Sequence, residues 1–140
     1  MPAEEVAMAL TVSMVLAADE PAVLAHFYGA MLEVEPRAGL SASHWRLPWP
    51  AGGWLEVYGP SRSRPQARQH GRLALCVQRQ ADGTGIVAAL NDWITTALNL
   101  GASQLEAPRQ ESFGAEAWLL DPEGNRLLLL VLLPITGVAD

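Results

Sequence analysis

The stretch DPEGNRLLLLVLLP, residues 121–134, joins a turn to a strand. In its first half Asp121 and Asn125 can hold a turn through side-chain to backbone bonds, Pro122 sets one dihedral, and Gly124 admits positive φ. In its second half the apolar run Leu127 to Leu133 is far shorter than the ~20 residues of a membrane helix, so it reads as a strand. GAEAWLLDP, residues 114–122, supplies the partner strand, and the two close a hairpin.

Working outward from that hairpin, SQLEAPRQES is one more strand, and TGIVAALNDWITTALNLG before it is a helix. The helix carries Ile86, Val87, Leu90, Trp93, Ile94, Ala97 and Leu98 on one apolar side and stops at Gly101 as C-terminal cap. GRLALCVQ ahead of it is a strand. The first half of the chain repeats this order. ALTVSMVLAAD, residues 9–19, is a buried strand leading to a helix, with Asp19 as its cap and Pro21 in its first turn. Val23, Leu24, Phe27, Tyr28, Met31 and Leu32 form the helix's apolar stripe, which ends near Glu33. EPRAGLSAS, HWRLPWP and AGGWLEVYGP then give three short strands in a meander, Pro48 and Pro50 making the middle one an edge or bent strand.

The reading is therefore an α+β chain of β-α-β-β-β written twice, over about 8–60 and about 71–134, within one domain spanning 1–140. The polar, basic segment SRSRPQARQH, residues 61–70, is the linker. Half of the 140 residues are hydrophobic and 17% are charged, which fits a folded chain. A formal net charge of −6 argues against nucleic acid as a partner; it suits a cationic ligand or simple solubility. Cys76 is the only cysteine, so no intramolecular disulfide forms, and a reducing cytoplasm is expected. Within LALCV it reads as a buried, inert thiol. The opening residues have an apolar middle, but Glu4 and Glu5 replace the Lys or Arg of a secretory signal, and no membrane segment is expected. Phosphate-loop, dinucleotide and Gly-x-Ser-x-Gly patterns are missing.

Phe27-Tyr28 with Met31-Leu32, Trp54 to Val57 before Gly59-Pro60, Leu98 through Gly101-Ala102, and Asp121 to Asn125 occur in the order that resembles the vicinal oxygen chelate superfamily. That group holds glyoxalases, bleomycin-resistance proteins and extradiol dioxygenases. The resemblance runs from about Leu10 to Leu133 and implies two βαβββ modules forming an incomplete barrel around a cleft, in a homodimer. Enzymes of the superfamily chelate a divalent metal with side chains on four strands. Carried over residue by residue, those positions fall on Val12, Glu56, Arg72 and Leu128, with His70 two residues before Arg72 on the same face. A guanidinium is no ligand. Glu56 and His70 together are short of the three protein ligands a catalytic metal takes. Neither a metal nor another cofactor is expected, and the strand NRLLLLVLL, residues 125–133, reads as packed on both faces.

Glu56 and Arg72 then either form a partly buried ion pair or serve a ligand, Arg72 as electrophile and Glu56 as orienting group or base. Alternation puts Trp54, Glu56 and Tyr58 on one face. With Trp45, Trp118 and His70 they make an aromatic wall suited to a flat or cationic molecule, unless the aromatics are ordinary core. His44 reads as a loop or strand-end residue and His26 as a capping or solvent-facing one. Arg62, Arg64 and Arg68 belong to a solvated linker or to an anion-binding lip. The expected function is metal-independent binding of a small organic molecule. One alternative is a lyase, isomerase or hydrolase with Glu56 as general base and Arg72 as electrophile; another is an interaction module whose cleft is filled by Trp54, Trp118 and Leu128.

Overall fold

The computed structural model describes residues 11–50, 52–66, 73–81 and 85–133, which fall into two units, Met1–Gln66 and Ala67–Asp140. His70 and Arg72 lie outside the described residues.

In the first unit the branched run before Asp19 becomes β1 (Ser13–Ala17), and α1 (Pro21–Leu32) follows with Pro21 in its first turn, where a missing N–H costs nothing. The N-cap is Glu20 rather than Asp19. Glu33 ends the helix in the left-handed conformation, φ 59°. β2 (Arg37–Ala38), β3 (His44–Pro48) and β4 (Trp54–Tyr58) complete the unit. The strand order is β1-β4-β3-β2, with β1 parallel to β4 and the others antiparallel. β3 is thus an interior strand, not an edge. Pro48 is its last residue, so the absent N–H falls where the ladder ends, and Pro50 lies beyond it. Leu24, Phe27, Tyr28 and Met31 of α1 are buried, as are Leu47, Leu55 and Val57 of the sheet. The helix packs on β3 and β4, covering one face of the sheet.

The second unit repeats the plan with β5 (Leu75–Gln80), α2 (Ile86–Asn99), β6 (Ser103–Gln104), β7 (Arg109–Glu111), β8 (Gly114–Leu120) and β9 (Arg126–Leu132). Its order is β5-β9-β8-β6, with β7 also on β8; β5 runs parallel to β9. SQLEAPRQES divides into two short strands because Pro108 interrupts it. Leu90, Trp93, Ile94 and Ala97 form the buried side of α2, whereas Val87 and Leu98 at its margins are exposed. That helix covers Ala115, Ala117, Leu119, Leu127, Leu129 and Val131, the face it packs against on β8 and β9.

Leu128, Leu130 and Leu132 point the other way and remain partly exposed, so β9 is not buried on both faces; α2 covers only one. Cys76 is exposed rather than buried, because β5 is the sheet's edge strand and Cys76 alternates away from Leu75. The turn before β9 is built as its residues suggest. Asp121 is 3% exposed and its Oδ1 accepts the N–H groups of Glu123 (2.8 Å) and Asn125 (2.9 Å), while the Asn125 amide donates to both carboxylate oxygens. Gly124 takes φ 87°. Both sheets are open, giving the α+β architecture; no helix among the described residues is long and apolar enough to cross a membrane.

Candidate functional site

Because α1 takes one face of the first sheet, alternation leaves every second side chain of β1, β3 and β4 on the other. Register sets Val15, Glu56 and Arg46 in one row across that face, Ala17, Tyr58 and His44 in the next, and Ser13, Trp54 and Pro48 in the row behind. Three polar side chains, Ser13, His44 and Arg46, meet at Glu56.

The His44 Nε2 lies 2.9 Å from Glu56 Oε1. The Leu40 backbone N–H donates to the same ring's Nδ1 at 2.7 Å, so Nδ1 is an acceptor and the proton sits on Nε2, donating to Glu56. Arg46 Nε is 3.4 Å from Glu56 Oε1. It is shut from water and makes no hydrogen bond, so it acts on the carboxylate through charge alone. A hydrogen bond from the Ser13 hydroxyl, with those from His44 and the Arg46 charge, holds the Glu56 carboxyl below its usual range, against the opposing effect of burial. Glu56 is a settled carboxylate.

Beside it opens a cleft of about 750 Å³, lined by Val15, Leu40, His44, Glu56, Tyr58 and Arg64 together with Ser43 and other small residues. Glu56 and Tyr58 therefore come together as alternation requires. Trp54 shares their face but does not line the cleft. Its ring instead carries the Arg46 guanidinium, 4.2 Å from the centroid, with Arg37 at 5.5 Å. Trp45 is on the opposite face, edge-on to the ring of His26 with centroids 5.3 Å apart. Trp118 is on β8 of the second unit, beneath Arg126 at 5.7 Å. The pairing of Glu56 with Arg72 lies outside the described residues, and Arg46 is the cation found beside Glu56.

The sequence gives no reason to single out Arg46, and His44, expected at a loop or strand end, does open β3 but is not expected at the site. Their signal is the hairpin itself: if β3 and β4 pair across the Trp49 to Gly53 turn, 44 meets 58 and 46 meets 56. Local patterns do not carry that count.

A divalent metal does not fit the described residues. Val12 precedes β1, is 72% exposed and is out of phase with the face that carries Glu56, where Ser13 and Val15 stand instead. No three His, Cys, Asp or Glu side chains among the described residues are grouped to hold an ion. The positive charge next to Glu56 is already a guanidinium.

A family model described as a glyoxalase-like domain matches residues 13–130. Among solved structures, a glyoxalase/bleomycin resistance protein/dioxygenase family enzyme of Burkholderia phytofirmans PsJN is similar, with TM-score 0.69 and 14% identity over 86% of this chain and 96% of that one. Protein ATC0852 of Agrobacterium tumefaciens has TM-score 0.68 and 20% identity, covering 89% and 98% of the two chains. The fosfomycin resistance protein FosX of Mesorhizobium loti has TM-score 0.62 and 7% identity, covering 89% and 92%. At such identities the likeness is one of fold. No curated protein matches the chain. The family match, spanning both units and the strands that carry Glu56 and the DPEGN turn, places the chain in the glyoxalase-like family of the vicinal oxygen chelate superfamily.

Proposed function

We propose that this protein binds a small organic molecule in the cleft beside Glu56, without a metal and without chemistry on the ligand. The supporting observation is the state of that carboxylate: donors and a cation keep it ionised at the side of a cleft of about 750 Å³, a size that takes a small molecule. A carboxylate so stabilised is a poor proton acceptor, which weighs against a general base. It is a good hydrogen-bond acceptor. The ligand is one that offers an N–H or O–H to Glu56 and lays an apolar or flat part along Val15, Leu40 and Tyr58. Homodimerisation and a cytoplasmic location belong to the same proposal, the first resting on the family resemblance and the second on the single cysteine, Cys76.

The experiment is a calorimetric titration with a library of small donor-bearing molecules, followed by assay of each binder for chemical change. A binder recovered unchanged is expected. Glu56→Gln, which keeps an acceptor, should retain affinity within about tenfold. Turnover by the wild type that Glu56→Gln abolishes would replace binding with catalysis, and a library without a single binder would leave the cleft as a surface feature.

A further inference from the structure

The ring of His44 touches two parts of the cleft at once. One part is the loop between β2 and β3, which supplies Leu40 and Ser43 to the lining; the other is Glu56 on β4. The loop is tied to His44 three times: the Leu40 N–H to Nδ1 at 2.7 Å, the His44 N–H to the Ser41 carbonyl at 3.2 Å, and the Gly39 N–H to the His44 carbonyl at 2.8 Å. A Cβ on Gly39 would overlap the ring, so glycine makes room for it. A backbone amide can only donate, and a carboxylate held ionised only accepts. One imidazole state satisfies both neighbours, the neutral ring protonated at Nε2.

We infer that His44 is the positioning residue of the cleft, a neutral Nε2–H imidazole that ties the Leu40 loop to the Glu56 carboxylate. It thereby sets the cleft's shape before the ligand arrives. This rests on the reading of the cleft as the binding site. With Nδ1 engaged by Leu40 and Nε2 by Glu56, the role assigned to the ring is to hold its neighbours in place. Its effect is preorganisation: without it, a ligand must order the loop as it binds.

Nitrogen-15 NMR of the ligand-free wild type near neutral pH reads the ring directly. The expected spectrum has an unprotonated Nδ1 and a protonated Nε2; a proton on Nδ1, or an imidazolium, overturns the inference. Two variants separate the two contacts. His44→Gln can still present an N–H to Glu56 but has no acceptor for Leu40, whereas His44→Asn can accept from Leu40 but is too short for Glu56. Exchange of the Leu40 amide should speed up in the Gln variant and stay near wild type in the Asn variant. Equal exchange in both overturns the coupling. For a ligand from the library above, each variant should lose about tenfold in affinity; wild-type affinity in both would overturn the positioning role. The ring state and the exchange rates are read without ligand, so they stand or fall apart from the proposed function.

Discussion

Replacing Leu129 and Leu128 by alanine, one at a time, tests the alternation on which the second unit is built. Leu129 is 0% exposed, lies between Val77 on β5 and Ala117 on β8, and faces α2. Ala117 is too small to move into the space left, so the cavity persists. Leu129→Ala should cost about 3–4 kcal/mol, in the middle of the range for buried leucines. Leu128 is its immediate neighbour but points away from α2, between Cys76 and Trp118, and is partly exposed. Water already reaches part of it, and its loss should cost about 1–1.5 kcal/mol by the area removed. Urea unfolding followed by circular dichroism, with unchanged slopes, gives the two values directly. A charged pair sharpens the contrast: Leu128→Glu can turn its carboxylate to water and stay folded, while Leu129→Glu buries an unpaired charge and should not fold. Equal costs for the two alanine variants, to within about 0.5 kcal/mol, would refute the assignment of faces.

Three further outcomes are expected. Asp121→Ala removes the acceptor of the Glu123 and Asn125 N–H groups in a part-buried turn and should cost about 2 kcal/mol in the same unfolding assay; a loss under about 1 kcal/mol would mean water replaces the carboxylate without penalty. The Glu56 carboxyl is lowered on folding, so its stabilising effect is complete above the unfolded carboxylate's titration and is lost as pH falls through the folded one. Glu56→Gln should remove that part of the acid dependence, and Ser13→Ala should raise the Glu56 titration seen by carbon-13 NMR; an unmoved titration in Ser13→Ala would remove the hydroxyl as the leading cause. Gly39→Ala pushes a methyl into the His44 ring and should cost about 1–3 kcal/mol while shifting the ring's NMR signals; unchanged signals would show that the loop yields instead.

What the sequence reveals follows the distance over which each feature is decided. The DPEGN turn is set by contacts spanning four residues, and its residues announce it. The helices and most strands follow from periodicity, which is also local. The Glu56 cluster is different: His44 is twelve residues away, and it meets Glu56 only through the register of β3 on β4. Reading it requires placing the turn between two strands before asking which side chains face each other. The second misreading has another origin. A run such as LLLLVLL has no polar residue to mark its outer face, so the pattern leaves open whether that face is covered; in the same way LALCV suggests burial for Cys76, which its position on an edge strand undoes.

Trp54 ties these observations to the choice of ligand. Its place beside Glu56 suggests an aromatic wall, yet two guanidiniums occupy the ring's surroundings, Arg46 at 4.2 Å and Arg37 at 5.5 Å. The aromatic face thus serves to hold Arg46 where its charge reaches Glu56. A partly buried carboxylate needs such compensation, and here a hydroxyl, an imidazole N–H and a guanidinium provide it. The contacts from His44 and Arg46 fall on Oε1 alone. A carboxylate offers about four lone-pair sites, so acceptor capacity remains after them. An anionic ligand would face an ionised carboxylate, whereas an N–H or O–H would complete its shell. For the ligand proposed above, the charge at Glu56 itself favours a donor there, and Tyr58 is the aromatic side chain that lines the cleft.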